Sequence, residues 1–291
     1  MKVTPLPDVE RSSERSVAVG TFDGVHLGHR EVIRGADSVL TFEPHPVSVV
    51  APQHTPRLLT TLARKAELVG SLGVRELVVI PFDADFAKLT AAQFVDDVLV
   101  GALGAAQVAI GENFRFGHKA QGDPALLRTD ARFATVVRPL LEIGGEIVSS
   151  SHIRGLLLAG EIAESNRLLG SSFELSGEVV HGDARGRELG FPTANLIPDE
   201  ALVCPGHGVY ACLADGRPAA VSIGVRPTFK TGRAELIEVY ILDFDGDLYG
   251  STLRLQFLER LRGERRFEDS DSLIEQMHRD VLATREIAAA H

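Results

Sequence analysis

The chain has 291 residues and a mass of 31.3 kDa, room for two domains of the usual ~150 residues each. Hydrophobic residues at 44% and charged residues at 24% exclude a disordered, collagenous or coiled-coil chain. The formal charge of −10 is shared by 17 basic against 20 acidic residues up to Gly170 and 13 against 20 beyond it, so neither part offers a broad basic face for nucleic acid, and an anionic ligand must be held by a few local groups.

In chain order, Val17–Thr21, Ser38–Phe42, Glu76–Phe82, Ala106–Gly111 and Ala134–Pro139 are short apolar runs rich in Val and Ile, and they predict buried strands. Between them, Thr60–Leu72 and Thr90–Leu103 have the 3.6-residue spacing of amphipathic helices. Alternating apolar strands and helices predict a parallel sheet covered on both faces, with ligands at the carboxyl ends of the strands. Gly155–Leu169 reads as helical, and Gly170-Ser171-Ser172 as a junction between a domain 1–170 and a domain 171–291. Beyond it Leu175–His181, Gly208–Ala214, Ala219–Gly224, Glu235–Asp243 and Leu253–Leu261 are strand-like. Asp215-Gly216 and Asp245-Gly246 are hairpin signals, and a helix over Asp271–Ala288 closes the chain, with Ser272 and Glu275 in capping-box spacing. Short strands at regular intervals predict a small antiparallel barrel.

Cys204 and Cys212 are too few for a disulfide scaffold or a four-sulfur zinc site and read as small buried hydrophobes. No run reaches the ~18 apolar residues of a membrane span, and Met1–Arg15 is too polar for a signal-peptide core. A cytoplasmic protein with no membrane partner is expected. Oligomeric state is not legible.

Candidate chemistry is carried by two groups of segments, one in each half of the chain. Gly20-Thr21-Phe22-Asp23-Gly24-Val25-His26-Leu27-Gly28-His29 leaves the first strand and opens a helix. Its glycines, Gly20 and Gly28 among them, let backbone approach a ligand, and a helix start favours phosphate. His26 and His29, three apart, can face one point. In Val148-Ser149-Ser150-Ser151-His152-Ile153-Arg154, hydroxyls precede a helix and Arg154 offers a planar fork for phosphate. In the second half, His181 to Arg187 is a loop bracketed by Gly182 and Gly186 and carrying Arg185, without the Gly-Lys-Ser/Thr ending of a Walker A sequence. Gly190-Phe191-Pro192-Thr193-Ala194-Asn195 follows. Thr193 and Asn195 are hard oxygen donors two apart on an extended chain, suited to Mg²⁺ carried by nucleotide phosphates. Glu238, within Leu236–Leu242, shares a strand face with Leu236, Tyr240 and Leu242; by itself such a carboxylate is more often part of a solvated face, although partial desolvation there would suit a proton acceptor.

The H-x-G-H turn and the Ser-Ser-Ser-x-Ile-Arg segment resemble the two signatures of the nucleotidyltransferase superfamily. Thr41-Phe42-Glu43-Pro44-His45-Pro46 and Gly111-Glu112-Asn113-Phe114-Arg115-Phe116-Gly117 are similar to motifs of the FMN adenylyltransferase module of bacterial bifunctional FAD synthetases. The Gly-Phe-Pro-Thr-Ala-Asn segment, Gly224 to Phe229, Leu242 to Gly250 and Leu261 to Phe267 resemble the riboflavin kinase family over Phe173–Arg285. The resemblance implies an α/β nucleotidyltransferase-like, Rossmann-like domain followed by a riboflavin kinase β-barrel with a C-terminal helix. It implies substrates riboflavin, FMN and ATP with Mg²⁺, and it implies site residues. His26, His29, Ser150 and Arg154 act on the triphosphate, with Gly20, Phe22 and Gly28 around it. Asn113 and Phe116 lie at the flavin, and Gly182, Arg185, Gly190, Thr193 and Asn195 at the kinase nucleotide and metal, with Glu238 as general base. Only 12 positions separate His29 from Thr41, where the family has a longer helix and linker. A kinase alone with an inactive first domain, a flavin-binding protein without turnover, and a nucleotidyltransferase for another acceptor remain alternatives at this point.

Overall fold

The computed structural model describes residues 1–181, 191–228 and 232–291. Contacts divide the chain into two compact units, Met1–Ser150 and Ser151–His291.

In the first unit β1 (Lys2–Pro5), β2 (Arg15–Val19), β3 (Ser38–Glu43), β4 (Glu76–Pro81), β5 (Ala105–Gly111) and β6 (Ala134–Arg138) form one parallel sheet in the order β1-β4-β3-β2-β5-β6. The five expected strands are present within two residues of their expected ends. The edge strand β1 was not expected, because only Thr4 of its four residues is buried and no apolar run marks it. The chain winds outward from β2 through β3 and β4, then returns to lay β5 on the other side of β2. The space beyond the carboxyl ends of β2 and β5 is therefore a topological switch point.

Successive strand residues feed opposite cores. Val17, Val19, Leu40, Val78, Val108 and Ile110 pack on one side, and Ala18, Val39, Leu77 and Ala109 on the other. The helices are α1 (Leu27–Ile33), α2 (Pro46–Val50), α3 (Leu62–Ser71), α4 (Ala91–Gln93) and α5 (Pro124–Arg128). The expected helix over 90–103 starts with a capping box between Thr90 and Gln93, then continues from Phe94 to Ala102 as a wider π-helix that buries Phe94, Val95, Val98 and Leu99. The short His29–Thr41 connection is absorbed by α1, which has only seven residues before a turn at Gly35 (φ +82°). Strand β3 still pairs with β2 on one side and β4 on the other.

The hairpin β7 (Glu142–Ile143) and β8 (Glu146–Ile147) leads to α6 (Ser150–Ala159), which ends at Gly160 (φ +79°) and is followed by α7 (Ile162–Leu169). Both helices lie across or beyond the division at Ser150/Ser151, whereas the sequence suggested a junction at Gly170. Side-chain and backbone bonds explain the difference. Asn166 donates to Phe257 O at 2.8 Å and accepts from Phe173 N at 2.7 Å, and Gly206 N donates to Leu157 O at 2.9 Å.

The second unit is a closed antiparallel barrel. Its strands β9 (Phe173–Val180), β10 (Ala194–Pro198), β11 (Gly208–Ala214), β12 (Arg217–Thr228), β13 (Gly232–Ile241) and β14 (Thr252–Arg262) run in the order β10-β13-β12-β11-β14-β9. Asp215 and Gly216, both at positive φ, join β11 to β12 as a tight hairpin, as expected. Asp245-Gly246 does not make one. It lies in a longer connection, because β13 pairs with β12 and β10 while β14 pairs with β11 and β9. The closing helix spans Ser270–Ala289 and is capped one turn earlier than expected. Asp269, not Ser272, is the N-cap, accepting from Ser272 N at 2.8 Å. The buried Asp280 holds this helix to β14 by a forked pair with Arg262 at 3.0 and 2.8 Å.

Candidate active sites

The turn after β2 is held rigidly from below. Phe22, Gly24 and Val25 adopt positive φ, which a non-glycine residue keeps only when its surroundings enforce it. Phe22 and Val25 are buried in the core, and a Cβ on Gly20 would lie 3.0 Å from the Phe22 ring. The buried Asp23 accepts from Leu59 N at 2.9 Å and Thr60 N at 3.2 Å, and Thr60 Oγ1 accepts in turn from Gly24 N at 3.2 Å. Ser150 Oγ, at the end of the first unit, donates to Asp23 O of the same turn at 2.9 Å. Arg154 lies one turn further along α6, 3.4 Å from Ser151 Oγ.

The two histidines come together as expected. Their rings stack at 3.6 Å, and His26 caps α1 by accepting from His29 N at 3.2 Å. Gly28 packs against the His26 ring, where a Cβ would stand 3.3 Å away. Phe22 meets His29 edge-on at 5.3 Å. Burial, then the neighbouring His26 and Lys65, hold His29 well below the usual histidine range, so it is neutral near pH 7. Its Nδ1 is buried and has no hydrogen-bond partner among the described residues.

Across the switch point, the loop after β5 exposes Asn113 and leaves Phe114 half-buried. Phe116 stacks on Phe114 at 5.6 Å but is only 6% exposed and belongs to the core cluster, so it backs the loop instead of lining an open face. Gly117 (φ +73°) is required here, since a Cβ would lie 2.6 Å from Ala91 N.

In the barrel, Asn195 on β10 stands directly opposite Glu238 on β13 in the antiparallel ladder. Ile237, Val239 and Ile241 fill the barrel core, which turns Glu238 and Tyr240 to the other face together with Asn195. Asn195 is 8% exposed, and Glu238 and Thr193 are half-buried. Phe191 anchors the segment, edge-on to Tyr240 at 5.3 Å and to His278 of the closing helix at 5.1 Å. Gly182, Arg185 and Gly190 lie outside the described residues, as do the other residues of 182–190 and Phe229. Among the described residues no group of three or more His, Cys, Asp or Glu is arranged to hold a metal. Two neutral oxygens beside one carboxylate fit an ion that draws its remaining ligands from phosphate and water.

The FAD synthetase family model matches residues 8–152 and the riboflavin kinase model residues 169–288. Bifunctional riboflavin kinase/FMN adenylyltransferases from Escherichia coli K12 (38% identical, covering 93% of this chain and 91% of the relative) and Listeria monocytogenes (37%, 92% and 91%) are similar nearly end to end. The chain belongs to the bifunctional riboflavin kinase/FMN adenylyltransferase family. A crystal structure of a macrolide-efflux protein from Streptococcus pneumoniae has the same fold, with TM-score 0.89 and 31% identity over 98% of this chain and 99% of that one. No helix among the described residues is long and apolar enough to cross a membrane.

Asp23, Thr60 and Lys65 were missed as parts of the first site. Lys65 left a signal in the sequence: it lies within the apolar stripe Leu62, Ala66, Val69 of α3, where a solvated lysine has no place.

Proposed function

We infer that this chain phosphorylates riboflavin to FMN with ATP and then joins AMP from a second ATP to FMN, giving FAD and pyrophosphate. The observation that supports the kinase reading is the register of Asn195 opposite Glu238, a carboxylate and an amide on one face of the ladder. The ribityl hydroxyl oxygen attacks the γ-phosphorus of ATP, Glu238 takes its proton, and the γ-phosphorus bond to the bridging oxygen breaks to release ADP. Thr193 and Asn195 hold the Mg²⁺ that ATP brings, and when bound the ion neutralises phosphate charge. Phe191, wedged between β13 and the closing helix, keeps both donors in place.

In adenylyl transfer a phosphate oxygen of FMN attacks the α-phosphorus of ATP in line, and pyrophosphate leaves. The first unit needs no covalent nucleophile for this. His26, His29, Ser150 and Arg154 orient the triphosphate and stabilise its developing charge. Asn113 hydrogen-bonds the flavin edge, with Phe114 as the aromatic contact and Phe116 supporting it. An intact β3 between β2 and β4 favours an active first unit over a structural remnant. In this reading residues 1–170 carry adenylyl transfer and 171–291 the kinase, the partners are flavins and ATP, and the cytoplasm is the place of work. Incubation with riboflavin, ATP and Mg²⁺, followed by chromatography, should give FMN and then FAD. FMN supplied directly should give FAD without the kinase step. FMN accumulating with no FAD would reduce the reading to the kinase alone.

A further inference from the structure

Lys65 is a buried cation that the mechanism above does not use. Lysine is almost never buried without a partner, yet Lys65 is 6% exposed on α3, beneath the phosphate turn. Its Nζ donates to Thr41 Oγ1 at 3.4 Å, and Thr41, fully buried on β3, donates to Thr21 O at 3.0 Å. A single path thus runs from α3 through β3 into the turn that carries His26 and His29. Burial lowers the pKa of the Lys65 amine from its ordinary value, and the carboxylates of Asp23 and Glu43 offset part of this in favour of the charged form. Asp23 is in turn fixed by Leu59 N and Thr60 N, so the charge has a built seat.

We propose that Lys65 is a positioning residue for adenylyl transfer, its buried ammonium locking the Thr41–Thr21 link and supplying a fixed positive charge behind the two histidines. This rests on the reading that the turn binds the triphosphate. A charge seated in advance needs no reorganisation when negative charge builds on the phosphates. It also acts on His29. The groups around that imidazole are His26 from its own helix start and Lys65 from α3, with Asp23 of the turn and Glu43 of β3 flanking Lys65. With Lys65 in place, His29 meets ATP as a neutral hydrogen-bond donor and not as a second mobile cation.

The test uses the full chain with Lys65→Met, Lys65→Arg and Thr41→Val. FAD formation from FMN and ATP is followed against pH, FMN formation from riboflavin is followed in parallel, and the His29 imidazole is titrated by NMR. Lys65→Met should lower kcat for FAD about tenfold with little change in KM. It should also move the His29 titration, and with it the acid limb of the kcat profile, to higher pH, while FMN formation is unchanged. Lys65→Arg should recover part of both effects, because charge is kept. An unmoved His29 titration, or an Arg variant as defective as the Met variant, overturns the proposal. If Lys65→Met does not fold, Thr41→Val removes the link alone and should slow FAD formation several-fold; a wild-type rate there overturns it. If the unmodified chain makes no FAD, the adenylyl reading fails instead, and the NMR titration still decides whether Lys65 acts on His29.

Discussion

The two candidate sites are built by opposite means. In the barrel, Asn195 and Glu238 face each other because the hydrogen-bonded ladder puts them there; the register alone sets the pair, and the inward alternation of Ile237, Val239 and Ile241 turns it outward. In the first unit the histidines sit at the start of α1, where the turn after β2 enters the helix and no ladder sets their positions. That turn is held by a buried carboxylate, a buried amine, two threonine hydroxyls and residues forced to positive φ. A strand-borne site gets its precision from the fold itself, whereas a turn-borne site needs its own polar scaffold below. Substitutions should therefore act locally in the barrel and spread further in the turn.

The largest expected effect separates the two. Glu238→Gln should lower FMN formation by about 10³-fold, the loss of a general base, with FAD formation from supplied FMN unchanged. Equal loss of both activities would break the assignment of Glu238 to the barrel site. Next, His29→Ala should lower FAD formation by about 10²-fold and spare FMN formation. The contrast sharpens if it also lowers the melting temperature, since His29 packs against Phe22 and His26.

A pH effect follows from the same residue. His29 is held below its ordinary value in the folded chain, so the unfolded chain binds the proton more readily. The stability it contributes is present in full above the unfolded pKa of about 6.5 and is lost as pH falls from there towards the folded value. Melting temperature should decline below that pH, and His29→Asn should flatten the decline. A decline of the same steepness in the variant would assign it to other groups. The smallest effect concerns the closing helix: Asp269→Ala should cost about 1 kcal/mol in urea unfolding and Ser272→Ala less, with both activities kept. The reverse order would restore the cap at Ser272.

Much of this was legible in the sequence, and the failures have physical causes. Buried parallel strands announce themselves as unbroken Val and Ile runs, so five of the six in the first unit were readable. β1 and β10 were not, since an edge strand with one buried residue and a strand containing Asn195 and Pro198 show no such run. The stacking of His26 on His29 was readable from their three-residue spacing at a helix start, whereas the pairing of Asn195 with Glu238 depends on a ladder register between distant strands that no local spacing records. Lys65 was hidden by its helix, whose periodicity reads as ordinary unless the charge within its apolar stripe is noticed. Phe116 illustrates the converse. A loop motif names an aromatic without saying which side it packs, and here packing against Phe94 takes it into the core. The Gly170 junction marked a change of texture, whereas the boundary between packed units depends on bonds made by Asn166 and Leu157 that no local pattern records.

Both cysteines are buried, and burial pushes the Cys212 thiol well above the usual range. Only the thiolate reacts readily with maleimides and haloacetamides, so both native thiols are poor targets while the chain stays folded. A dye or spin label can therefore be directed to one introduced cysteine without first stripping the chain of its own. Exposed Leu158 on α6, ahead of the barrel sequence, and Tyr249, in the connection between β13 and β14, offer such positions. A distance probe between them could follow substrate-driven motion in otherwise native protein.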